Sequence, residues 1–302
     1  MADSPPRAAG AAEPAEPAEP ADSAASILAV GQFVPGVYVN ANLASIAELA
    51  ASASVRGASL VVVPEYSSYF TPTMGQDWLD AAEPLDGRFV NGLAAIARRH
   101  GIHLVAGMLE TTDDPGRLSN TLVALDPGGE LVAVYRKLHL YDAFGQCESD
   151  WVRAGEIAPP QTFAWGGLSV GMQTCYDLRF PEVTRTLVDA GADLVLVPSE
   201  WVRGPLKEHH WRTLITARAI ENTIYVAAAD HAPPIGVGNS MIVDPMGVEL
   251  ATIGEVTGIA VAEVSVDRVR EVRALNPALS LRRFIVKPAP RRPFGAGPVS
   301  SC

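Results

Sequence analysis

The 302-residue sequence lacks several features that large classes of proteins require. No apolar run approaches the roughly 20 residues of a membrane-spanning helix, so we expect no membrane association. Lysine and arginine number 23 against 34 acidic residues, which gives a formal charge of −11. Because no block of basic residues is longer than a pair, we expect no nucleic-acid partner.

Cysteine is also scarce. Cys147, Cys175 and Cys302 are too few and too scattered for a disulfide framework, so we expect a reducing cytoplasm as the location. No HExxH or CxxC spacing occurs and no phosphate-loop pattern is present, so no metal and no cofactor are expected. Adjacent residues of a helix point in different directions, which makes His209 and His210 poor joint metal ligands.

Composition divides the chain into three parts. Residues 1–26 contain the repeat "AEPAEPAEPA", have almost nothing to bury, and are predicted to form a disordered tail. The pattern from residue 27 to residue 286 runs on without a linker, which predicts a single domain. Residues 287–302 are rich in proline and arginine, and we expect them to form an arm on the surface or on a partner.

Short apolar runs alternate with helical patterns in this domain. The unbroken run "ASLVVVP" is typical of a strand that is covered on both faces. "GRFVNGLAAIARRHG" combines helical spacing with basic residues in its last turn and a glycine stop. "DPGG" between two apolar segments indicates a β-hairpin. The order of these elements predicts an α/β fold, with a mixed sheet of many strands covered by helices.

Polar residues with complementary chemistry follow several of these strands. Glu65 follows "SLVVVP", Lys137 follows "ELVAVYR" and Cys175 follows "LSVGMQT". Glu200 and Trp201 follow "DLVLVPS". Since ligands of open α/β sheets bind outside the carboxyl ends of strands, these positions are the candidates for a site.

A carboxylate, an ammonium and a thiol form a set of base, cation and nucleophile that can attack a carbonyl or a nitrile carbon. The thiolate is the attacking species, and we expect the nearby Lys137 to favour it. Glu65 can accept the thiol proton, protonate a departing amine and later activate water. Lys137 and a backbone N–H near Cys175 can stabilise the charge that develops on the attacked group.

Each of the three residues also has a structural explanation. Unpaired cysteine is among the most buried residue types, so Cys175 alone would be assigned to the core. Glu65 beside a proline is typical of a solvated loop, and Lys137 of a strand end at the surface. The spacing of the three residues leaves both explanations open.

Three segments resemble the signature segments of the nitrilase superfamily of carbon–nitrogen hydrolases. They are "VVVPEYSSY", "YRKLHLYDAFG" and "QTCYDLRFPE". "ARAIENTIYVAAAD" at 217–230 and "NPALSLRRF" extend the resemblance over nearly all of residues 27–286. The resemblance implies a four-layer α-β-β-α sandwich with mixed sheets. It also implies Glu65 as general acid–base, Lys137 as transition-state stabiliser and Cys175 as nucleophile.

The resemblance implies further residues and a substrate class. Glu148, in "GQCESDW", matches a second glutamate that orients the lysine and helps to bind the substrate. The motifs are most similar to the branch of omega-amidases and deaminated glutathione amidases. Tyr176 follows the cysteine where true nitrilases usually have tryptophan, which favours an amide over a nitrile. The expected substrate is a small amide that carries a carboxylate, cleaved through a thioester with release of ammonia.

Four side chains are candidates for substrate binding. Tyr66, Tyr176 and Trp201 are aromatic residues next to the candidate catalytic positions and are of the type that lines pockets. The guanidinium of Arg179 has the geometry to bind a substrate carboxylate. Arg179 can equally pair with Asp177 or Glu182, and we favour this second arrangement.

Other hypotheses remain open. His139, two residues from Lys137, could form a Cys–His pair, but the sequence offers no clear aspartate or asparagine to orient it. The same residues would also suit an N-carbamoyl amino acid or a nitrile substrate. A catalytically silent binding or scaffolding relative is a third hypothesis. The resemblance implies at least a homodimer, with the C-terminal arm and the helix "HHWRTLITARAIENT" as candidate contacts.

Overall fold

In the computed structural model, the described residues are Met1 and residues 25–289. The predicted tail at 1–26 and the predicted arm at 287–302 therefore lie almost wholly outside the described residues. None of the helices within this part of the chain is long and apolar enough to cross a membrane.

The described residues contain twelve strands and six α-helices. The strands are β1 Ser26–Gln32, β2 Leu60–Val62, β3 His103–Thr111, β4 Leu118–Leu125, β5 Leu131–Arg136, β6 Thr162–Trp165, β7 Leu168–Met172, β8 Leu194–Pro198, β9 Tyr225–Ala229, β10 Met241–Val243, β11 Glu249–Thr252 and β12 Gly258–Val264. The helices are α1 Val39–Val55, α2 Gln76–Ala81, α3 Arg88–His100, α4 Pro181–Asp189, α5 Lys207–Asn222 and α6 Val266–Leu275. Two short 3₁₀ helices, Glu148–Asp150 and Cys175–Arg179, add to these.

The strands form two six-stranded mixed sheets. One has the order β12-β1-β2-β3-β4-β5 and the other the order β11-β10-β9-β8-β7-β6. In each sheet the three central strands are parallel, β1-β2-β3 in one and β7-β8-β9 in the other, and the outer strands pair antiparallel. From the order of strands and helices we predicted one mixed sheet. The structure has two, because that order does not indicate where the chain passes from one sheet to the other.

The two sheets pack face to face through their apolar side chains. Leu28 and Val30 of β1 belong to the inner core, together with Leu194 and Leu196 of β8. Ala29, between the first two, points to the opposite face and packs under the helices. This period of two follows from the pleat of a strand, and burial on both faces explains the unbroken apolar runs.

Helices cover the outer face of each sheet. Ile46 of α1 and Leu93 of α3 pack on the first sheet, and Leu187 of α4 and Ile215 of α5 on the second. α3 ends at the left-handed Gly101 (φ +63°), as its glycine stop predicted. The α-β-β-α sandwich implied by the resemblance is therefore confirmed.

Candidate active site

The predicted catalytic residues meet at one end of the sandwich. Glu65 lies just beyond β2, Lys137 directly after β5, and Cys175 just beyond β7 of the other sheet. These residues and Glu148 line one cavity with an empty volume of about 920 Å³, which includes the solvent at its mouth. Parallel strands that end at the same edge bring residues together that are far apart in the sequence.

A buried network of charges links Lys137 with two carboxylates. Its Nζ lies 3.0 Å from Oε1 of Glu65 and 2.9 Å from Oε2 of Glu148. The three side chains are at most 3% exposed. Because water cannot solvate charges at this depth, each must be compensated by its neighbours. The ion pairs therefore fix the position of the ammonium group.

Asn120 of β4 bridges the two carboxylates and was not predicted from the sequence. Its Nδ2 donates to Oε1 of Glu65 at 2.6 Å and to Oε1 of Glu148 at 3.0 Å. The hydroxyl of Tyr66 donates to Glu148 at 2.5 Å, and the backbone N–H of Tyr141 donates to it at 2.6 Å. Tyr66, predicted to bind substrate, thus lines the large cavity and also anchors Glu148.

Glu65 is also held from the second sheet. The backbone N–H of Glu200 donates to its Oε2 at 2.6 Å. Nε2 of His231 lies 2.7 Å from its backbone carbonyl and must carry the hydrogen, since a carbonyl only accepts. Burial lowers the pKa of His231 to about 4, so the ring is neutral at neutral pH. Sequence reasoning missed His231, although it follows the predicted strand "IYVAAAD" closely.

Cys175 begins its 3₁₀ helix in a strained conformation. Its φ of +44° lies in the left-handed region, which residues with a Cβ adopt rarely. Oγ1 of Thr174 donates to the carbonyl of Pro198 at 2.7 Å, and its backbone N–H donates to Asp177 at 3.3 Å. These bonds fix the turn. The first N–H groups of a helix have no partner within it, so the amide of Tyr176, the residue after Cys175, is a candidate donor to a negative charge near the sulfur.

Burial and neighbouring charges shift the pKa values of the network in different directions. For Glu65, burial outweighs the attraction of Lys137, and the pKa is raised. For Glu148, burial also acts upward, but Lys137 and the donors from Tyr66 and Asn120 lower the pKa overall. Burial acts downward on Lys137, yet the two carboxylates raise its pKa well above the usual value. Glu148 and Lys137 therefore form a stable ion pair, and of the two carboxylates around Lys137, Glu65 takes up a proton more readily.

The thiol of Cys175 is protonated at rest. Burial and the charge of Glu65 raise its pKa well above the usual value and outweigh the opposite effect of Lys137. Lys137 acts on this pKa in the expected direction, toward the thiolate, but it does not outweigh the other two effects. Sγ instead lies 3.4 Å from the backbone carbonyl of Glu200, which accepts the thiol hydrogen.

A second, smaller cavity lies against the same sulfur and is lined by two cations; its empty volume of about 220 Å³ includes the solvent at its mouth. Arg179 stacks over Trp201 with its guanidinium carbon 4.7 Å from the ring centroid. Nζ of Lys207 donates to the hydroxyl of Tyr141 at 2.6 Å and lies 3.7 Å from the centroid of Phe144. Among residues 25–289, neither cation has a carboxylate within ion-pair distance. The predicted binding residues Tyr176, Arg179 and Trp201 all line this cavity.

Arg179 does not make the ion pair that we favoured from the sequence. Neither Asp177 nor Glu182 pairs with it. Asp177 is fully buried and accepts hydrogen bonds from the hydroxyl of Tyr135 at 2.6 Å and from His139 at 2.8 Å. The carboxylate of Asp177 is therefore occupied by other donors, and Arg179 lines the small cavity instead.

Asp177 also corrects our view of His139. An aspartate does orient this ring, although we found no clear candidate in the sequence. The ring stacks on Phe180 with centroids 3.7 Å apart, and His139 is not among the residues that line either cavity in the described part of the chain. No group of three His, Cys, Asp or Glu side chains between residues 25 and 289 is arranged to bind a metal ion.

Comparison with known proteins agrees with this geometry. The model of the carbon–nitrogen hydrolase family matches residues 27–274. The deaminated glutathione amidase of Escherichia coli O157:H7 is 42% identical over 265 residues, which cover 85% of this chain and 97% of that protein. The human deaminated glutathione amidase is 33% identical over 258 residues, which cover 80% of this chain and 77% of that protein.

Solved structures show the same fold. The Caenorhabditis elegans NitFhit protein superposes with a TM-score of 0.78 at 30% identity, over 86% of this chain and 65% of that one. An amidase from Nesterenkonia sp. superposes with a TM-score of 0.70 at 30% identity, over 86% of this chain and 98% of that one. A mutant of that amidase was solved with acrylamide added to its active-site cysteine. The chain therefore belongs to the carbon–nitrogen hydrolase family of the nitrilase superfamily and is an amidase-type hydrolase of non-peptide C–N bonds.

Proposed function

We propose that Cys175, Glu65 and Lys137 form a Glu–Lys–Cys catalytic triad, with Glu148 as the residue that orients Lys137. The support is geometric. Glu65 and Lys137 are in contact, and both line the cavity that Cys175 enters. Glu148 fixes the ammonium from the other side, at 2.9 Å.

The first half of the reaction forms a thioester. Glu65 accepts the proton of the Cys175 thiol as the sulfur attacks the amide carbon, so the buried thiolate exists only while it reacts. Negative charge develops on the carbonyl oxygen, where the ammonium of Lys137 and the amide of Tyr176 stabilise it, each by about 3–4 kcal/mol. The C–N bond then breaks, and protonated Glu65 returns the proton to the leaving nitrogen.

The second half releases the acid. Glu65, again a carboxylate, accepts a proton from water, and the resulting hydroxide attacks the thioester carbon. The C–S bond breaks and the sulfur recovers the proton, which regenerates the thiol. The raised pKa of Glu65 suits this double role, because a group must both gain and lose a proton easily to act in both steps.

We propose as substrate an amide whose acyl chain carries a carboxylate, with deaminated glutathione as the first candidate. The observation that carries this proposal is the pair of cations, Arg179 and Lys207, without a carboxylate partner beside Cys175. Two cations in a small cavity repel each other and are desolvated, so an anionic ligand stabilises both. Deaminated glutathione is the candidate compound because the relatives from Escherichia coli and human are named deaminated glutathione amidases.

The two cavities suggest how such a substrate lies. The small cavity offers two cations to the carboxylate of the acyl chain, and the large cavity, with Phe70, Trp78 and Ile235 in its wall, has room for the leaving amine. A primary amide would release ammonia, whereas an N-substituted amide would release the amine. The large cavity therefore favours substrates with a substituent on nitrogen.

A substrate panel tests the proposal. Purified protein is incubated with deaminated glutathione, a primary ω-amide that carries a carboxylate, a neutral amide of the same length and an N-carbamoyl amino acid. We expect kcat/KM to be at least about tenfold higher with the carboxylate than without it, because charge-assisted hydrogen bonds contribute about 1.5–3 kcal/mol. Released amine, ammonia and carbon dioxide are measured, since carbon dioxide marks carbamoyl cleavage.

The Cys175→Ala variant is the control for the panel. Its circular dichroism spectrum and melting temperature should match those of the wild type while turnover disappears. Turnover by a folded Cys175→Ala variant would contradict the mechanism. Equal turnover of the neutral and the carboxylate-bearing amide would contradict the substrate class.

We also propose that the protein works in the cytoplasm and as a homodimer. A mechanism that starts from a thiol requires Cys175 to stay reduced, and the cytoplasm provides that condition. Leu281, Phe284 and Ile285, which follow α6, expose more than two thirds of their side chains, as expected of residues that a second copy covers.

A further inference from the structure

Glu200 carries a partly buried carboxyl group to which the proposed mechanism gives no role. It lies two residues beyond the end of β8 and lines both the large and the small cavity. Its Oε1 is buried and has no hydrogen-bond partner among residues 25–289. Buried polar atoms without a partner are rare because they cost about 1–3 kcal/mol, so this one needs an explanation.

The backbone of Glu200 fixes the position of this side chain. Its N–H donates to Oε2 of Glu65 at 2.6 Å, and its carbonyl accepts from Sγ of Cys175 at 3.4 Å. The following amide, of Trp201, donates to Oδ1 of Asp230 at 2.6 Å. The side chain therefore starts from a rigid point beside the nucleophile, yet its Oε1 contributes no bond to the fold.

The surroundings of Glu200 favour the neutral form of its carboxyl group. Burial is the largest cause of its raised pKa, and the charges of Glu65 and Asp230 act in the same direction against Lys137. A neutral carboxylic acid can donate a hydrogen bond, which a carboxylate cannot. Enzymes use buried carboxylic acids as donors to substrate oxygens in this way.

We propose that Glu200 is a specificity-determining residue that donates a hydrogen bond from its carboxyl group to a carbonyl oxygen on the acyl chain of the substrate. The inference rests on the proposed function. There, the reacting carbon lies at Cys175 and the distant carboxylate at Arg179 and Lys207. Glu200 lines the same small cavity as Cys175, Arg179 and Lys207, so its side chain can contact an acyl chain that is bound there.

This donor explains how the site would select a deaminated substrate. Deamination to a 2-oxo acid replaces an ammonium, which only donates, by a carbonyl oxygen, which only accepts. A neutral carboxyl donor fits the carbonyl oxygen, and the nearby Arg179 and Lys207 repel an ammonium. A site with an ionised glutamate would have the opposite preference.

Two five-carbon ω-amides test the role of Glu200, one with a 2-oxo group and one without it. For each variant, the ratio of kcat/KM between the two amides is measured. Glu200→Met removes the donor and nearly preserves the volume, and we expect the preference for the 2-oxo amide to fall about tenfold, as expected for one hydrogen bond. Glu200→Gln keeps a neutral donor and should retain most of the preference. Glu208→Gln, which replaces an exposed carboxyl group on α5, is the matched control.

Binding provides a second measurement that does not require turnover. The affinities of both amides are measured by calorimetry in the Cys175→Ala background, with and without Glu200→Met, or Glu200→Ala if the methionine variant does not fold. An unchanged affinity ratio, or a glutamine variant that loses the preference as fully as methionine, would overturn the role of Glu200. Absence of turnover of both amides by the wild type would instead contradict the proposed function.

Discussion

His231 shows how one buried side chain supports the catalytic geometry without entering it. Its ring donates to the backbone carbonyl of Glu65 and packs edge-on against Phe70, with centroids 4.7 Å apart. Nδ1 has no partner among residues 25–289. A proton on Nδ1 would therefore create an unsolvated charge next to the active site, and the folded protein resists this protonation.

The first prediction follows from this resistance. The pKa of His231 is about 4 in the folded state and 6.5 as its ordinary value, so the unfolded chain binds the proton first as the pH falls. The stability that the neutral ring contributes is fully present above pH 6.5 and is lost toward pH 4, by about 3 kcal/mol in total. The free energy of unfolding is measured with denaturant at a series of pH values. As the pH falls from 6.5 toward 4, it should decrease less steeply in His231→Gln than in the wild type.

An exposed histidine provides the control for this measurement. His209→Gln replaces a solvated ring on α5 and should keep the slope of the wild type. Parallel curves for the wild type and His231→Gln would mean that the ring is protonated inside the fold, contrary to the prediction.

The sequence indicated the candidate catalytic residues more readily than the residues that hold them in position. Glu65, Lys137 and Cys175 each follow an apolar strand, so a local pattern indicates them, and Glu148 came from the family resemblance. Asn120 and His231 act on Glu65 across 55 and 166 residues of sequence. No local pattern records such contacts, because the first depends on the order of the strands within one sheet and the second on how the two sheets pack.

At the scale of elements, the approach of β3 to the segment after β2 determines where Glu65 lies. Gly107 of β3 donates its N–H to the carbonyl of Pro64 at 3.1 Å. A Cβ at Gly107 would lie 2.6 Å from Cα of Glu65 and 2.7 Å from the amide nitrogen of Tyr66. These are backbone atoms, which cannot rotate away, so only glycine permits this approach.

Gly107→Ala should therefore displace the carboxylate of Glu65. We expect a loss of at least about 2 kcal/mol of stability, as for other overpacked cores, together with a fall in kcat of about a hundredfold, because a displacement of roughly 1 Å has that effect on catalysis. Unfolding curves and kcat on the best substrate of the panel provide the check.

Gly258→Ala is the matched control, since it also lies in a strand and its Cβ would meet nothing within 4 Å. Equal stability and activity of the two variants would show that β3 can shift without moving Glu65.

Two elements were not predicted from the sequence, one because its apolar pattern is too short and one because we overlooked its helical pattern. β6 has only four residues, "TFAW", which is too few for periodicity to indicate a strand. α6 did carry a signal, because Ser265 caps it and Val266, Val269 and Val272 recur at helical spacing. We did not identify it from the sequence.

At the scale of the whole molecule, the chain beyond α6 returns to the second sheet's helices. Arg282 forms an ion pair with Asp189 at the end of α4 at 2.5 Å, and Leu279 packs against the core under α4 and α5. The segment is therefore held against α4 by this ion pair and by the packing of Leu279. Phe284 and Ile285 face outward and are 89% and 74% exposed.

The last prediction concerns this exposed apolar surface. If a second copy of the chain covers it, light scattering should give twice the chain mass of 31.9 kDa. Phe284→Asp combined with Ile285→Asp should shift the mass to one chain, because each buried carboxylate would lose its hydration in the interface. Val55→Asp, at an equally exposed position at the end of α1, should leave the dimer intact. A wild-type mass of one chain at micromolar concentration would contradict the homodimer, and dissociation by Val55→Asp alone would place the interface on the opposite layer of the sandwich.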